Sequence, residues 1–254
     1  MGIALPVNCQ VMSQTRHAHL AGEVVHRHRH NDHQLVYVSC GVLAVQTDRR
    51  AWVAAAHRAI WIPARTWHQH RVYGDASVHT YAFSTSRTPL PADGPTVIAV
   101  DGLLRELLVA CTEPGLPASE ARQIRAVIRS RLHRAAVQPL TVPTATDPLL
   151  AHACSLVIDD LSRPRTTTWL ARNVGTSERT LARLFRKEFG MTYPQWRTTT
   201  RVFHAMIQLA EGANVTQTAH RCGWATTSAF VSTFAKTTGQ TPGAYRVTRP
   251  LRTE

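Results

Sequence analysis

Hydrophobic residues in the first hundred positions of this chain recur in short apolar or alternating runs of three to six residues. The runs lie at residues 35–38, 42–45, 51–53, 59–62, 78–83 and 96–100. Gly41, Pro63 and Gly74 fall between them, and these residue types favour turns. Short strands at such regular spacing are typical of a small β-barrel or sandwich. The pattern therefore predicts a β domain in the amino-terminal part, with separate strands on either side of Gly41 and a turn at Gly74.

The hydrophobic period changes to that of a helix after residue 100. Two groups of apolar residues recur near every 3.6 positions and predict two helices between 101 and 136. They are Leu103, Leu104, Leu107 and Leu108, then Ala121, Ile124, Val127, Ile128 and Leu132. Two roles stay open for these helices, covering the barrel or forming a dimer interface. Prolines at 139, 143 and 148 mark a linker, after which Asp147 is expected to cap a helix over 148–161.

The last third of the chain repeats one pattern twice. Ala171, Gly175 and a late Phe185 are matched about fifty residues later by Ala219 and Gly223, again with a phenylalanine and a glycine at the end. Each copy predicts a short helix, a turn at glycine and a longer amphipathic helix. Such a helix-turn-helix unit places its second helix in the major groove of DNA. A long helix over 193–211 is predicted between the copies, and a rigid connector would hold the recognition helices ~34 Å apart.

The two predicted recognition helices differ in their polar residues. We expect Ser177 to cap the first, and Thr167 or Thr168 to cap the short helix before it; Thr216 and Thr218 are expected near the cap of the corresponding helix in the second copy. The candidate DNA-contacting residues are Ser177, Arg179, Arg183 and Arg186 in the first copy and Thr227, Ser228, Ser232 and Lys236 in the second. Arginine forms bidentate contacts with guanine. We therefore expect the first copy to supply more specificity and the second to contact the backbone.

Composition agrees with a nucleic-acid partner. The 254 residues carry a formal net charge of +13, and only Lys187 and Lys236 are lysines, so arginine supplies almost all the positive charge. The five cysteines are isolated, which argues against a disulfide framework or a zinc finger. No apolar run approaches the ~20 residues of a membrane span, and the start lacks signal-peptide features. We expect a soluble, cytoplasmic protein that does not bind membranes.

Residues 147–254 resemble the DNA-binding domain of the AraC/XylS family of transcription factors. The resemblance rests on the end of the first copy, residues 183–190, and on four segments of the second. Those segments are residues 219–224, 228–230, 234–236 and 239–246. Ser232 stands where relatives often carry arginine, and Ala235 replaces the usual lysine. Both departures weaken the case for base readout by the second helix.

A histidine-rich segment precedes the predicted strands, with six of the fourteen histidines between His17 and His33. His28-x-His30 followed by Gln34, with His68 later, resembles the metal motifs of cupin barrels. The resemblance implies a metal site formed by these four residues, which would suit zinc, nickel, iron or copper. Cupins that bind a metal usually have glutamate at the position of Gln34, and an amide is a weaker ligand. The alternatives are an effector pocket without a metal, for which the candidates are Tyr37, Trp61, His70 and His79, or simple exposure; His70 and His79 would join the metal site if the strand register allows.

These observations together predict an α+β fold in two domains. The expected parts are a cupin-like sensing barrel over 1–100 and a helical dimerisation or cover segment over 101–138. A linker over 139–147 then precedes an all-α tandem helix-turn-helix domain over 148–254. The predicted function is a bacterial, sequence-specific transcription regulator without enzymatic activity. Its expected partners are double-stranded operator or promoter DNA, a small-molecule or metal effector, a second copy in a homodimer, and RNA polymerase if it activates. The alternatives are a metal-dependent cupin enzyme fused to a DNA-binding module, and a non-specific nucleoid protein.

Overall fold

The structure, a computed structural model, describes residues 14–54, 58–90, 92–135 and 141–246. The chain divides into two compact units. Of the residues described, the barrel unit comprises 14–47, 52–54, 58–90 and 92–135, and the helical unit comprises 48–51 and 141–246. The first is rich in sheet and the second is helical, which confirms the predicted two-domain α+β fold class.

Two long antiparallel strands organise the barrel unit. Its strands are β1 (Gln14–His19), β2 (Val24–His28), β3 (His33–Gln46), β4 (Arg50–Ala54), β5 (Arg58–Ile62), β6 (His68–Phe83) and β7 (Thr96–Ala99). Strand β6 pairs with β1, β2 and β3, while β3 also pairs with β4 and β5, and β5 pairs with β7. A 3₁₀ turn, Thr85–Arg87, follows β6. Most strands therefore attach to β3 or β6.

The expected strand break at Gly41 and the expected turn at Gly74 were wrong. Residues 33–46 form one strand and residues 68–83 another, with register shifts between them around Cys40. Gly41 has a positive φ of 78°. A Cβ there would lie 2.6 Å from the carbonyl oxygen of Asp75 on β6. The glycine allows a bulge and a close approach within a continuous strand, where the sequence pattern suggested a turn.

Alternate residues of the strands pack into two separate cores. One core is covered by helices α1 (Gly102–Ala110) and α2 (Ala118–Leu132), and it includes Leu35, Tyr37, Trp61, Tyr81, Ile98, Leu104, Leu108, Ile128 and Leu132. The other is formed by strands alone, and it includes Val36, Val38, Ile60, Ile62, Val72, Val78 and Val97. Leu103 and Val127, predicted on the buried helix faces, are 49% and 43% exposed. The two helices cover one face of the sheet.

The helical unit contains the predicted repeat. It begins with a short strand, β8 (Thr141–Pro143), and its helices are α3 (Pro148–Ile158), α4 (Thr167–Asn173), α5 (Glu178–Leu184), α6 (Tyr193–Ala210), α7 (Val215–Arg221), α8 (Thr227–Thr238) and α9 (Pro242–Arg246). A five-residue π-helical turn, Phe185–Phe189, extends α5. Helices α4 and α5 form one helix-turn-helix unit and α7 and α8 the other. Helix α6 is the predicted connector.

The helix caps partly differ from those expected. Asp147 caps α3 and Ser177 caps α5 as predicted, although α3 ends at Ile158 and not at Leu161. Thr166 caps α4 by accepting from the Trp169 amide (3.1 Å), which corrects the assignment to Thr167 or Thr168. Asn214 caps α7 by accepting from the Gln217 amide (2.8 Å), while Thr216 and Thr218 lie inside that helix. In both corrections the cap is the extended residue just before the helix.

Among the residues described, no helix has both the length and the apolar character needed to cross a membrane.

Candidate functional site

Helix α5 presents a row of arginines to solvent. Ser177 begins the helix by accepting a hydrogen bond from the Thr180 amide (3.1 Å). Leu181 and Phe185 are completely buried on the inner side. Arg179, Arg183 and Arg186 are exposed on the outer side. Since positions four and seven apart share one face of a helix, the guanidinium groups can contact the same DNA segment.

Helix α8 presents hydroxyl groups in place of arginines. Thr226 caps it by accepting from the Ala229 amide (3.2 Å), and Phe230 and Phe234 are completely buried. Ser228, Ser232 and Lys236 are exposed, and Thr227 is half-buried. The scaffold of the two copies is therefore similar, while their exposed side chains differ in charge. Only Lys236 offers a cation on the outer face of α8 in the described residues.

Helix α6 joins the cores of the two copies. Tyr193 and Trp196 at its start belong to the first core, where Phe185 lies 5.4 Å and 5.5 Å from them between ring centroids. The second core contains a chain of aromatic contacts from Trp224 through Phe230 and Phe234 to Tyr245. The 18 residues of α6 would span about 27 Å at the usual helical rise. A single continuous helix thus connects both packed units.

Three histidines converge at one end of the strand-only core. His28 on β2 lies directly opposite His68 on β6, and their ring centroids are 4.3 Å apart. His70 lies two residues further along β6, and its ring centroid is 5.0 Å from that of His68 and 5.5 Å from that of His28. One nitrogen of each residue lies within 4.8 Å of the other two. Because His68, His70 and Val72 alternate along β6, all three face the strand-only core.

Backbone carbonyls fix the tautomers of several imidazoles in this group. The Nδ1 atoms of His28, His30 and His68 lie 2.8, 2.7 and 2.8 Å from carbonyl oxygens of His26, Asp32 and Thr66. A carbonyl only accepts, so each Nδ1 must donate its proton, and the Nε2 lone pairs of His28 and His68 stay available for a metal. Metal-ligating histidines commonly have this arrangement. Among the described residues, Nε2 of His68 and of His70 is buried without a hydrogen-bond partner.

Burial keeps these histidines neutral. Desolvation lowers the pKa of His68 to about 3, lowers that of His70 well below its usual range, and also lowers that of His28. Neighbouring histidines lower all three further because two nearby positive charges would repel. Neutral imidazole is the form that binds a metal. Three such ligands would suit zinc, nickel, copper or iron.

The other two predicted metal ligands, His30 and Gln34, contact each other. Nε2 of His30 lies 3.0 Å from Oε1 of Gln34. The His30 ring is also 5.0 Å from that of His68. The structure therefore places His30 and Gln34 beside the group of three histidines, and His70 occupies a position within it.

The four predicted effector-pocket residues do not lie together. His70 belongs to the histidine group, whereas Tyr37, Trp61 and His79 lie on the face covered by α1 and α2. His79 is buried between Ser39 and Thr112, 2.8 Å and 2.6 Å away. Burial lowers its pKa to about 4. The strand register thus admits His70 to the histidine group and turns His79 to the opposite face.

Two groups of contacts in the helical unit were not predicted from the sequence. The carboxylate of Glu188 accepts hydrogen bonds from the amides of Thr146 (2.8 Å) and Asp147 (3.0 Å). The guanidinium of Arg201 on α6 donates to the carbonyl of Cys222 and stacks on Trp224. These partners are more than twenty positions apart in sequence. No periodicity or short motif links residues at such separations.

Comparison with known proteins agrees with both units. A helix-turn-helix domain model matches residues 170–248, and a cupin domain model matches residues 17–83. The HTH-type transcriptional regulator NimR of Escherichia coli (strain K12) is 27% identical over 223 residues, which are 86% of this chain and 81% of NimR. The HTH-type transcriptional regulator RipA of Corynebacterium glutamicum is 34% identical over 106 residues, which are 41% of this chain but only 31% of RipA.

Solved structures that resemble the chain include an AraC-type regulator from Chromobacterium violaceum. It is 28% identical and covers 42% of this chain and 96% of that chain, with a TM-score of 0.40. The two domain matches and the similarity to NimR confirm the family expected from the helix-turn-helix motifs. The chain thus combines a cupin domain with a DNA-binding helix-turn-helix domain of the AraC type, the combination that its motifs predicted.

Proposed function

We propose that this regulator recognises a specific operator through α5 and α8, and that a divalent transition metal in the cupin domain is its signal. The observation that carries the DNA part is the exposed row of Arg179, Arg183 and Arg186 on a capped recognition helix. Base readout comes mainly from these arginines. The hydroxyls of α8, with Lys236, contact the phosphate backbone and fix the register of the protein on the duplex.

The metal part rests on the group of His28, His68 and His70. Three nitrogens converge there, and two of them are buried without a hydrogen-bond partner among the described residues. An ion at this point would link β2 to β6. It would also give the buried nitrogens a partner and so offset the unfavourable free energy of burying them unpaired. To act as a signal, the metal must bind one conformation of the regulator more tightly than another. The His30 ring lies 5.0 Å from that of His68, and Gln34 contacts His30, so this pair can support the ligand His68 from one side.

Operator selection tests the proposal. Duplexes bound by the full chain are selected from a randomised pool, and affinities for the selected and a scrambled duplex are compared at several salt concentrations with zinc, nickel, copper or iron, and with a chelator. We expect a large preference for the selected duplex and a change in its affinity with one metal. Equal affinity for both duplexes would contradict sequence-specific recognition and favour a nucleoid-type protein. A preference that no metal alters would contradict the metal signal and favour a small-molecule effector.

We also propose that the regulator acts as a homodimer through α1 and α2. Leu103 and Val127 are apolar, yet they are 49% and 43% exposed on these helices. Sedimentation equilibrium should give twice the mass of one chain, and Val127→Glu should shift it to the monomer. A wild-type monomer at concentrations that bind DNA would contradict the dimer.

If the regulator activates, RNA polymerase is a further partner, and transcription in vitro from the selected duplex would then rise with the concentration of the protein.

A further inference from the structure

The turn glycines of the two helix-turn-helix copies are equivalent in backbone conformation but differ in surroundings. Gly175 and Gly223 have φ values of 72° and 79°. A Cβ on Gly175 would have no neighbour within 4 Å. A Cβ on Gly223 would overlap the carbonyl oxygen of Leu161 and would lie 3.2 Å from Nη2 of Arg201. The second turn therefore packs closely against the segment between α3 and α4, which belongs to the core of the first copy.

Arg201 lies at the centre of this contact. Its Nε donates to the carbonyl of Cys222, the residue before Gly223, and its guanidinium lies 4.0 Å from the centroid of the Trp224 ring. Arg201 thus contacts the residues on both sides of the glycine. Burial and the nearby Arg197 lower the pKa of Arg201 to about 10, so the group stays charged at neutral pH. We call Leu161, Arg201, Cys222, Gly223 and Trp224 the inter-repeat joint.

Helix α6 also holds the first copy's side of this joint. One turn before Arg201, Nη2 of Arg197 donates to the carbonyl of Arg163 (2.7 Å) and lies 3.5 Å from that of Leu161. The hydroxyl of Tyr193 donates to the carbonyl of Arg165 (2.5 Å). Three successive turns of α6 therefore contact the α3–α4 segment or the α7–α8 turn. A helix alone would fix the length of the connector, while these contacts also fix its rotation relative to each copy.

We propose that Arg201 is a positioning residue that determines the spacing and rotation at which α5 and α8 meet their operator, by fixing the inter-repeat joint. This inference rests on the proposed operator recognition, and it requires α8 to contact at least one base edge in addition to the phosphate backbone. Each additional base pair moves a binding site by about 3.4 Å and turns it by about a tenth of a helical turn. A rigid joint therefore makes the regulator intolerant of a changed spacing. A loosened joint would let each recognition helix reach its own box, meaning the set of base pairs that it contacts.

Spacing variants of the selected duplex test the inference with the full chain. The duplex is changed by inserting or deleting one base pair between the two boxes, and the ratio of affinities for correct and changed spacing is measured. We expect the affinity of the wild type to fall roughly tenfold or more when the spacing is changed, because a misplaced box costs at least one base contact. In Arg201→Met the ratio should fall below about threefold, at unchanged affinity for each single box. Arg221→Met, which removes an exposed arginine of α7, should leave the ratio unchanged. An Arg201→Met protein that keeps the wild-type ratio would overturn the proposal.

A distance measurement without DNA covers the case in which Arg201→Met does not fold. Spin labels are attached at Ala182→Cys and Ala229→Cys, two exposed positions on α5 and α8. Cys9, outside the described residues, is replaced by serine, and the described native cysteines are buried. The interlabel distance distribution should be narrow in the wild type and broader in Arg201→Lys, because lysine cannot stack flat on Trp224. Identical narrow distributions would overturn the proposal. Loss of sequence preference in the wild type would count against the proposed function, while the distance measurement would still decide about the joint.

Discussion

At the scale of single residues, the histidines of the barrel unit differ because their backbones and strand faces differ. His68 has Nδ1 committed to the Thr66 carbonyl and Nε2 left without a partner among the described residues. His79, eleven positions later on the same strand, has hydroxyl neighbours at both nitrogens. Both are almost completely buried. The same residue type is therefore prepared for a ligand at one position and for structural hydrogen bonds at the other.

This difference predicts the effect of removing each histidine on metal binding. His68→Ala should reduce zinc affinity by at least tenfold, in the range usual for loss of a ligand or its support. His79→Gln should leave the affinity unchanged, since the introduced amide would still reach Ser39 or Thr112. Equilibrium dialysis against zinc, with elemental analysis of the retained protein, measures both. Undiminished stoichiometric binding by the His68→Ala protein would place the metal elsewhere.

The lowered pKa values predict how the stability of the metal-free barrel depends on pH. The pKa of histidine in an unfolded chain is near 6.5, whereas burial lowers the pKa of His68 to about 3 and that of His79 to about 4. Below pH 6.5 the unfolded state therefore binds protons that the folded state does not bind. The free energy of unfolding should fall as the pH decreases from 7 to 5, and fall less steeply in His79→Gln. Urea unfolding of chelator-treated protein tests this, and a flat profile would refute the expectation.

At the scale of elements, Gly41 allows β3 to continue where a side chain would interrupt it. Its Cβ would lie 2.6 Å from the Asp75 carbonyl oxygen and 2.7 Å from the Ala76 Cβ. The pair β3–β6 carries most of the barrel, so a displacement there affects every strand attached to it. Gly22 has a similar positive φ, 83°, but nothing within 4 Å of a Cβ. Substitution of Gly22 would therefore introduce backbone strain alone, whereas substitution of Gly41 would add steric overlap to that strain.

We expect Gly22→Ala to lower the free energy of unfolding by about 1 kcal/mol, the cost of a left-handed alanine. Gly41→Ala should cost more than ~2 kcal/mol, because overlap and displacement of the partner strand add to that strain. Urea unfolding followed by near-UV circular dichroism of the barrel tryptophans measures both. Equal losses in the two variants would show that β6 moves away without cost.

Sequence periodicity predicted the helices of the helical unit well because each has one face that must be buried. Helix α6 was expected over residues 193–211 and spans Tyr193–Ala210. Strands β1 and β2 were not predicted from hydrophobic pattern, since histidine and arginine occupy many of their positions. The register of β2 against β6, which brings His70 to His28, depends on pairing between distant segments. That pairing leaves no signal in the local sequence. His70 could therefore be predicted as part of the metal site only on the condition that the strand register allowed it.

At the scale of the whole molecule, two similar scaffolds carry unequal chemistry. The arginines of α5 and the hydroxyls of α8 occupy the outer faces of equivalent helices. A contact to a base edge carries sequence information, whereas a contact to phosphate mainly adds affinity that depends on salt. The two copies should therefore respond differently to substitution.

Arg183→Ala should weaken binding to the selected operator by ~1–3 kcal/mol and relax its sequence preference. Ser232→Ala should cost less than ~1 kcal/mol, similar on every duplex, since one neutral hydrogen bond is lost. Fluorescence anisotropy on selected and scrambled duplexes, over a range of salt concentrations, measures affinity and its salt dependence. An equal loss on both duplexes for Arg183→Ala would show that this arginine contacts only phosphate.

The close contact between Gly223 and Leu161 also limits how this repeat can change over time. Duplicated motifs are often treated as interchangeable cassettes that can be copied, deleted or recombined. Here the second turn packs against the carbonyl of Leu161, in the α3–α4 segment that belongs to the core of the first copy. A second copy transplanted alone would lack its supporting surface, and a first copy inserted in its place would bring Gly175, which has no such neighbour. We therefore expect the two copies to change together as one unit, and new DNA specificities to arise by replacement of exposed side chains within it.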